Sequence, residues 1–249
     1  MFIPILVAAS LAVPVGVPMP KPLRAHTWAL RSAEELAEDG AFNAAIAVLE
    51  AEVDTASFEA QELLKIQIKM LRRVAELEEQ APGIAGRISR YIFRPPTEHL
   101  PKTMQDVEAL AAMDSDLALV LQTPSAVRVT AVSKAVSLMM RGALVDAGSR
   151  AGLPLRSAEG PGSFEVTIDL EDVEARSLLG DHMHSYTTHI VVSLDVPGHV
   201  TVNTGAVQQL LGINQARAVD VNMPRLADRV LTAFAAELIR RSLLDELRL

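Results

Sequence analysis

From residue 26 to residue 122 apolar side chains recur every three or four positions, whereas from residue 164 they alternate with polar ones. The first period is that of a helix buried on one side and the second that of a strand buried on one side, so the chain reads as α+β. Ala33, Leu36 and Ala37 before Gly40, with Phe42, Ala45 and Leu49 after it, predict two antiparallel helices. Gly40 can take the positive φ that ends the first, and Phe42, Ala45 and Leu49 share the face that returns against Leu36. Ser57 is placed to cap a third, long helix carrying Leu63, Ile66, Met70, Val74 and Leu77. Lys65, Lys69, Arg72 and Arg73 are interspersed and Glu76, Glu78 and Glu79 follow, which suits a solvated mixed-charge face. After Ala81-Pro82-Gly83, the basic run Arg87 to Arg94 reads as a terminal helical turn in which Tyr91 and Phe93 pack. Its alternative role is an exposed patch for a partner, formed by Arg87, Arg90 and Tyr91.

Pro95, Pro96 and Pro101 make residues 95–106 the best linker in the chain, so a helical domain is expected over 26–94 and an α/β domain over 107–249. In the latter, Met104 to Met113 predicts a short helix, Leu117 to Leu121 a buried strand, and Val127 to Ala147 a helix stopped by Gly148. Phe164, Val166, Ile168 and Leu170 alternate with Glu165, Thr167 and Asp169 as in a half-buried strand. A second strand over His184 to Val196 turns at Pro197-Gly198 into a third over His199 to Thr204. Asn222-Met223-Pro224 reads as the start of a closing helix with Leu226, Val230, Phe234, Leu238 and Ile239. The expected product is a mainly antiparallel sheet covered on one face by two helices.

The order of these elements, with the helix ending in Met140 to Gly148 and the strand start Met183-His184-Ser185-Tyr186, resembles the small α/β domain of bacterial envelope accessory proteins. That group includes the curli secretion lipoprotein, the activators of penicillin-binding proteins, the flagellar assembly protein T and the N-terminal domain of the Tol translocation protein B. The resemblance covers about 130 residues and implies a binding or scaffolding role in the envelope, without catalysis. No lipidation cysteine and no obvious pore-forming hairpin is present, which sets a secretion channel aside. Residues 33–57 resemble a single tetratricopeptide hairpin, although Glu52 stands where that family prefers a small residue and no second copy follows.

Composition narrows the chemistry. The 249 residues are 49% apolar but include only one Trp, two Tyr and six Phe, so the core is mainly Ala, Val, Leu and Ile. There is no cysteine, which removes disulfides, thiolate nucleophiles and cysteine-based metal sites. A net charge of -8 argues against nucleic acid as a partner, because a phosphate backbone is bound by basic surface. Residues 1–25 open with an uncharged stretch to Pro20 whose run Phe2 to Val13 matches the apolar core of an export signal. Pro4, Pro14 and Pro18 with Gly16 would break a transmembrane helix, so a periplasmic or secreted protein with no stable span is expected. The alternative is a cytoplasmic protein in which the run is part of the core.

The strongest chemical candidate is Asp181-His182-Met183-His184, because His182 and His184 would project to one face of an extended strand and could share a metal ion. The competing reading is a polar strand end at the sheet rim. Glu171, Asp172 and Glu174 suit a solvated turn before they suit acid–base work, and Trp28 suits a core anchor. No phosphate loop, dinucleotide fingerprint or serine-hydrolase elbow occurs. The leading expectation is therefore a non-enzymatic envelope accessory or scaffold protein, without a cofactor, that binds protein partners through the surface around Phe42, Arg87, Arg90 and Tyr91. Its rival is a metal-binding protein or metal-dependent hydrolase centred on His182 and His184. Oligomeric state leaves no signature in the pattern.

Overall fold

Short polar side chains set several helix starts in the computed structural model, which describes residues 21–81, 83–93, 99–131, 133–172, 184–212 and 214–247. A 3-10 turn, Lys21–His26, leads into α1 (Thr27–Glu38) and α2 (Phe42–Val53). Between them Gly40 takes a φ of 78°, and the Ala41 amide donates to Leu36 O at 2.8 Å, which closes the first helix as its sequence predicts. The export-signal run lies outside the described residues. Ser57 accepts from the Ala60 amide at the start of α3 (Phe58–Gln80). The buried stripe of α3 begins at Ala60, Leu64 and Ile68 and continues through Leu71, Val74 and Leu77. Leu63 and Ile66 flank it as partly buried neighbours.

α4 (Ala85–Phe93) bears the basic run, and α5 (Leu100–Ala111) starts inside the stretch read as a linker, with Pro101 in its first turn. Proline is at home there, because the first-turn amides have no intrahelical acceptor to lose. Pro95 and Pro96 lie outside the described residues.

The buried strand expected at Leu117–Leu121 is instead α6 (Ser115–Gln122). Asp114 decides this: its carboxylate accepts from the Asp116 amide at 3.0 Å and the Leu117 amide at 3.1 Å, nucleating a helix that the apolar run by itself does not specify. The strand follows at β1 (Ser125–Thr130), where a longer helix was expected. Alternation of Val127 and Val129 with Arg128 and Thr130 suits a sheet. Ser133 accepts from the Val136 amide at 3.2 Å and opens α7 (Lys134–Arg150), which therefore starts later and runs past Gly148.

After β2 (Leu155–Arg156), β3 (Gly162–Asp172), β4 (His184–Asp195) and β5 (Val202–Gly212) form the rest of one five-stranded sheet in the order β2-β1-β3-β4-β5. β1 runs parallel to β2 and β3, whereas the long ladders β3–β4 and β4–β5 are antiparallel. The expected hairpin is present: the His199 amide donates to Val196 O at 3.0 Å, and Pro197-Gly198 holds the central turn positions. β5 is longer than the His199–Thr204 strand expected.

α8 (Gln215–Leu243) begins earlier than the Asn222-Met223-Pro224 start, because Asn214 caps it by accepting from the Arg217 amide at 2.9 Å. Pro224 sits inside this helix, facing solvent. Asn222, instead of capping, donates from Nδ2 to Ala218 O at 2.8 Å. α7 lies against β1 and β2 while α8 lies against β5 and β4, so two helices cover one face of the sheet. Phe164, Val166 and Ile168 of β3 and Ile190, Val192 and Leu194 of β4 point into that layer. Phe164 meets Phe234 of α8 edge to face, with centroids 5.2 Å apart.

The opposite face of α8 packs against α5, with lesser contacts to α3, α4 and α6. From Leu231 to Ile239 every residue of α8 is buried, and one apolar cluster runs through both halves of the chain. Burial of small aliphatic side chains all round a helix requires neighbours on all its sides. Among the described residues no helix is long and apolar enough to cross a membrane.

Candidate partner-binding cleft

Phe42, Asn43 and Ile46 occupy the first turns of α2, and Ala75 lies on the flank of α3 opposite them. Together with Gly40, Arg72, Glu76, Glu78 and Glu79 they line an open cleft of about 560 Å³. Phe42 is only 4% exposed, so it forms floor rather than rim.

Charge on the rim is unequal. Arg72 is turned toward Glu50 (Nη2 to Oε1, 2.6 Å) and Arg73 pairs with Glu76 at 2.8 Å. Glu78 accepts a long bond from the Gly83 amide at 3.4 Å. Among the described residues neither Glu78 nor Glu79 has a cationic partner, so this mouth carries uncompensated negative charge.

The basic run lies elsewhere and serves the fold. Asp106 of α5 is 1% exposed and collects Arg90 (Nη2, 2.5 Å), the Tyr91 hydroxyl (2.9 Å) and Arg87 (Nε, 3.3 Å). The Arg90 guanidinium also stands 5.1 Å from the centroid of the Tyr91 ring. A carboxylate removed from water needs such partners, since leaving it unpaired costs several kcal/mol (about 3–5). Burial pushes the Tyr91 phenol up to about 12, and the neighbouring Asp106 carboxylate acts in the same direction. Tyr91 thus sits in the core, and of the three expected contact residues Arg87 keeps the most open side chain. Phe42 and the basic run do not form one surface. Asp106 gave no advance signal, because it falls in the stretch whose prolines suggest a linker.

His182 lies outside the described residues, and His184 is the first residue of β4, its backbone opposite Gly212 of β5. Among the described residues no group of three or more His, Asp or Glu side chains is arranged to hold a metal ion. His199 is buried and its Nδ1 lies 2.8 Å from Leu247 O, fastening the end of the described chain to the β4–β5 turn. Trp28, expected as a core anchor, is 74% exposed on α1.

A second, smaller cleft of about 260 Å³ is lined by Arg73, Met113, Asp114, Ser115, Asp116, Asp245 and Leu247. Asp114 is already engaged there, capping α6 and accepting from the Ser242 hydroxyl. No protein-family model matches the chain, and no curated protein matches it.

Proposed function

We propose that this chain is a non-enzymatic accessory or scaffold protein of the cell envelope, working in the periplasm, that binds a partner protein within a larger assembly. The observation that carries the reading is the α2–α3 cleft, with an apolar floor of Phe42, Ile46 and Ala75 beside the carboxylates of Glu78 and Glu79, which have no cationic partner among the described residues. An apolar groove flanked by one sign of charge suits a helix or extended peptide that is apolar on one side and basic on the other. The buried polar groups support a binding rather than a catalytic role: Asp106, Arg90 and Tyr91 satisfy one another inside the helical layer. Export is supported by the apolar opening of the sequence, and the envelope setting by the resemblance of the C-terminal half to envelope accessory domains.

The experiment is cross-linking and affinity capture in native cells after separating periplasm from cytoplasm, with wild type beside Glu78→Lys/Glu79→Lys. A periplasmic partner with a basic segment, retained by wild type and lost by the double variant in a salt-sensitive manner, is the expected result. A chain found only in the cytoplasm, or a partner held equally by the double variant, overturns the reading.

A further inference from the structure

The first acidic residue of the chain is Glu34, so all 31 Asp and Glu follow a stretch whose charged side chains, histidine aside, are Lys21, Arg24 and Arg31. A protein of net charge -8 thus keeps a cationic start. What those three cations can do depends on where the fold points them.

The 3-10 turn Lys21–His26 is tied down from inside. Leu23 is in the core, and the buried His26 ring has Nδ1 2.7 Å from a carboxylate oxygen of Glu52, on the last turn of α2. With Leu23 and His26 turned inward, Lys21 and Arg24 are left exposed, three residues apart and so one above the other on a 3-10 turn. Trp28 and Arg31 continue the same side into α1, at the steps of four and three residues that share a helix face. The result is an outward stripe, Lys21–Arg24–Trp28–Arg31, in which an indole 74% exposed stands between cations. Among the described residues none of these three cations is in an ion pair, and Glu52 is engaged by His26. The stripe turns acidic at exposed Glu35, four residues beyond Arg31, so it is confined to the start of the helical layer.

An exposed indole flanked by unpaired cations matches the layered chemistry of an anionic bilayer. The ring, apolar in its body with one N–H donor, suits the boundary between acyl chains and headgroups, while lysine and arginine suit the phosphates beside it. The chain that joins the stripe at Lys21 favours lipid over a protein groove. Residues 1–20 lie outside the described residues, carry no charged side chain and include the apolar run Phe2 to Val13. Prolines deny that run a stable span, but lying in the surface layer of a bilayer requires none. Nucleic acid would satisfy the cations and leave the apolar run in water.

We propose that the Lys21–Arg31 stripe is a membrane-surface contact. It lies on an anionic bilayer with the Trp28 ring at the headgroup boundary, Lys21, Arg24 and Arg31 against lipid phosphates, and the run Phe2 to Val13 entering the same leaflet.

Trp28 is the sole tryptophan, so its emission reports this contact without a label. The test mixes the full chain with vesicles of phosphatidylglycerol and phosphatidylcholine, or of phosphatidylcholine alone, and follows cosedimentation and fluorescence. Tighter binding to the anionic vesicles is expected, weakening with salt, with Trp28 emission shifted to the blue and quenched by lipids brominated near the headgroup end of their acyl chains. Lys21→Gln/Arg24→Gln/Arg31→Gln should weaken that binding on the order of a hundredfold, since each cation near such a surface contributes about fivefold. Circular dichroism checks that the triple variant is folded; should it not be, the wild-type quenching and salt dependence decide alone. Failure of wild type to bind anionic vesicles overturns the proposal. So does binding that leaves Trp28 unshifted and unquenched, or that the folded triple variant retains in full, because the apolar run would then act by itself. A photo-crosslinker at position 28 that reaches protein and not lipid in native membranes overturns it in favour of a protein partner. None of these outcomes depends on the α2–α3 cleft.

Discussion

Asp106 shows how one buried charge organises its surroundings. Its carboxylate draws two arginines and a tyrosine hydroxyl from α4 onto α5, so the basic run becomes an internal tie. The Tyr91 phenol is raised to about 12 from an ordinary 10.0, chiefly by burial. In the unfolded chain that phenol ionises first, so the stability it lends is complete below pH 10 and is lost as pH rises toward 12. Denaturant titrations across that range should show wild type losing stability as pH rises and Tyr91→Phe losing less. An equal slope in both would mean that the phenol does not report burial. Glu237 of α8 is a related case: burial pushes its carboxyl up, while Arg240 and Arg241 pull it back, with Arg241 Nε 3.0 Å from its oxygen.

At the scale of elements, caps outweighed apolar runs. Leu117-Ala118-Leu119-Val120-Leu121 has the length of a buried strand, and nothing in its own side chains excludes one. Asp114, immediately before the helix, satisfies amides that a strand would have turned to a ladder. Ser133 and Asn214 act likewise, so the starts of α7 and α8 were legible in principle as polar residues preceding helical periodicity. Pro224 misled because proline more often begins a helix than sits within one, yet its exposed position lets the backbone open toward solvent. Ser133→Ala should cost about 1 kcal/mol of global stability with an unchanged denaturant slope, read by urea unfolding. No loss would mean that α7 is held by the sheet alone.

At the scale of the whole molecule, α8 is the spine. One flank lies on β4 and β5, another on α7 and another on α5, and the Lys69 ammonium donates to Leu244 O at 2.6 Å just past its end. Such a helix couples the two halves, so damage to it should be felt by both. Phe234→Ala removes the ring that meets Phe164 and should cost about 3–5 kcal/mol. Unfolding monitored by exposed Trp28 on α1 and by far-ultraviolet circular dichroism should shift together. Separate transitions, with only one displaced, would show that the halves fold independently.

Local patterning by itself determined the class and much of the layout. The period of three and four identifies α1 to α3, strict alternation identifies β3 and β4, and Pro197-Gly198 after the second alternating run identifies the β4–β5 hairpin. Those features are legible because each depends on contacts within a few residues. Tertiary structure decided the rest. Whether β1 is strand, where α8 begins, that Asp106 gathers the arginines, and that the cleft is floored by Phe42 all depend on what lies across the chain. Burial and charge pairing between distant residues leave no local period, so only the assembled fold could place them.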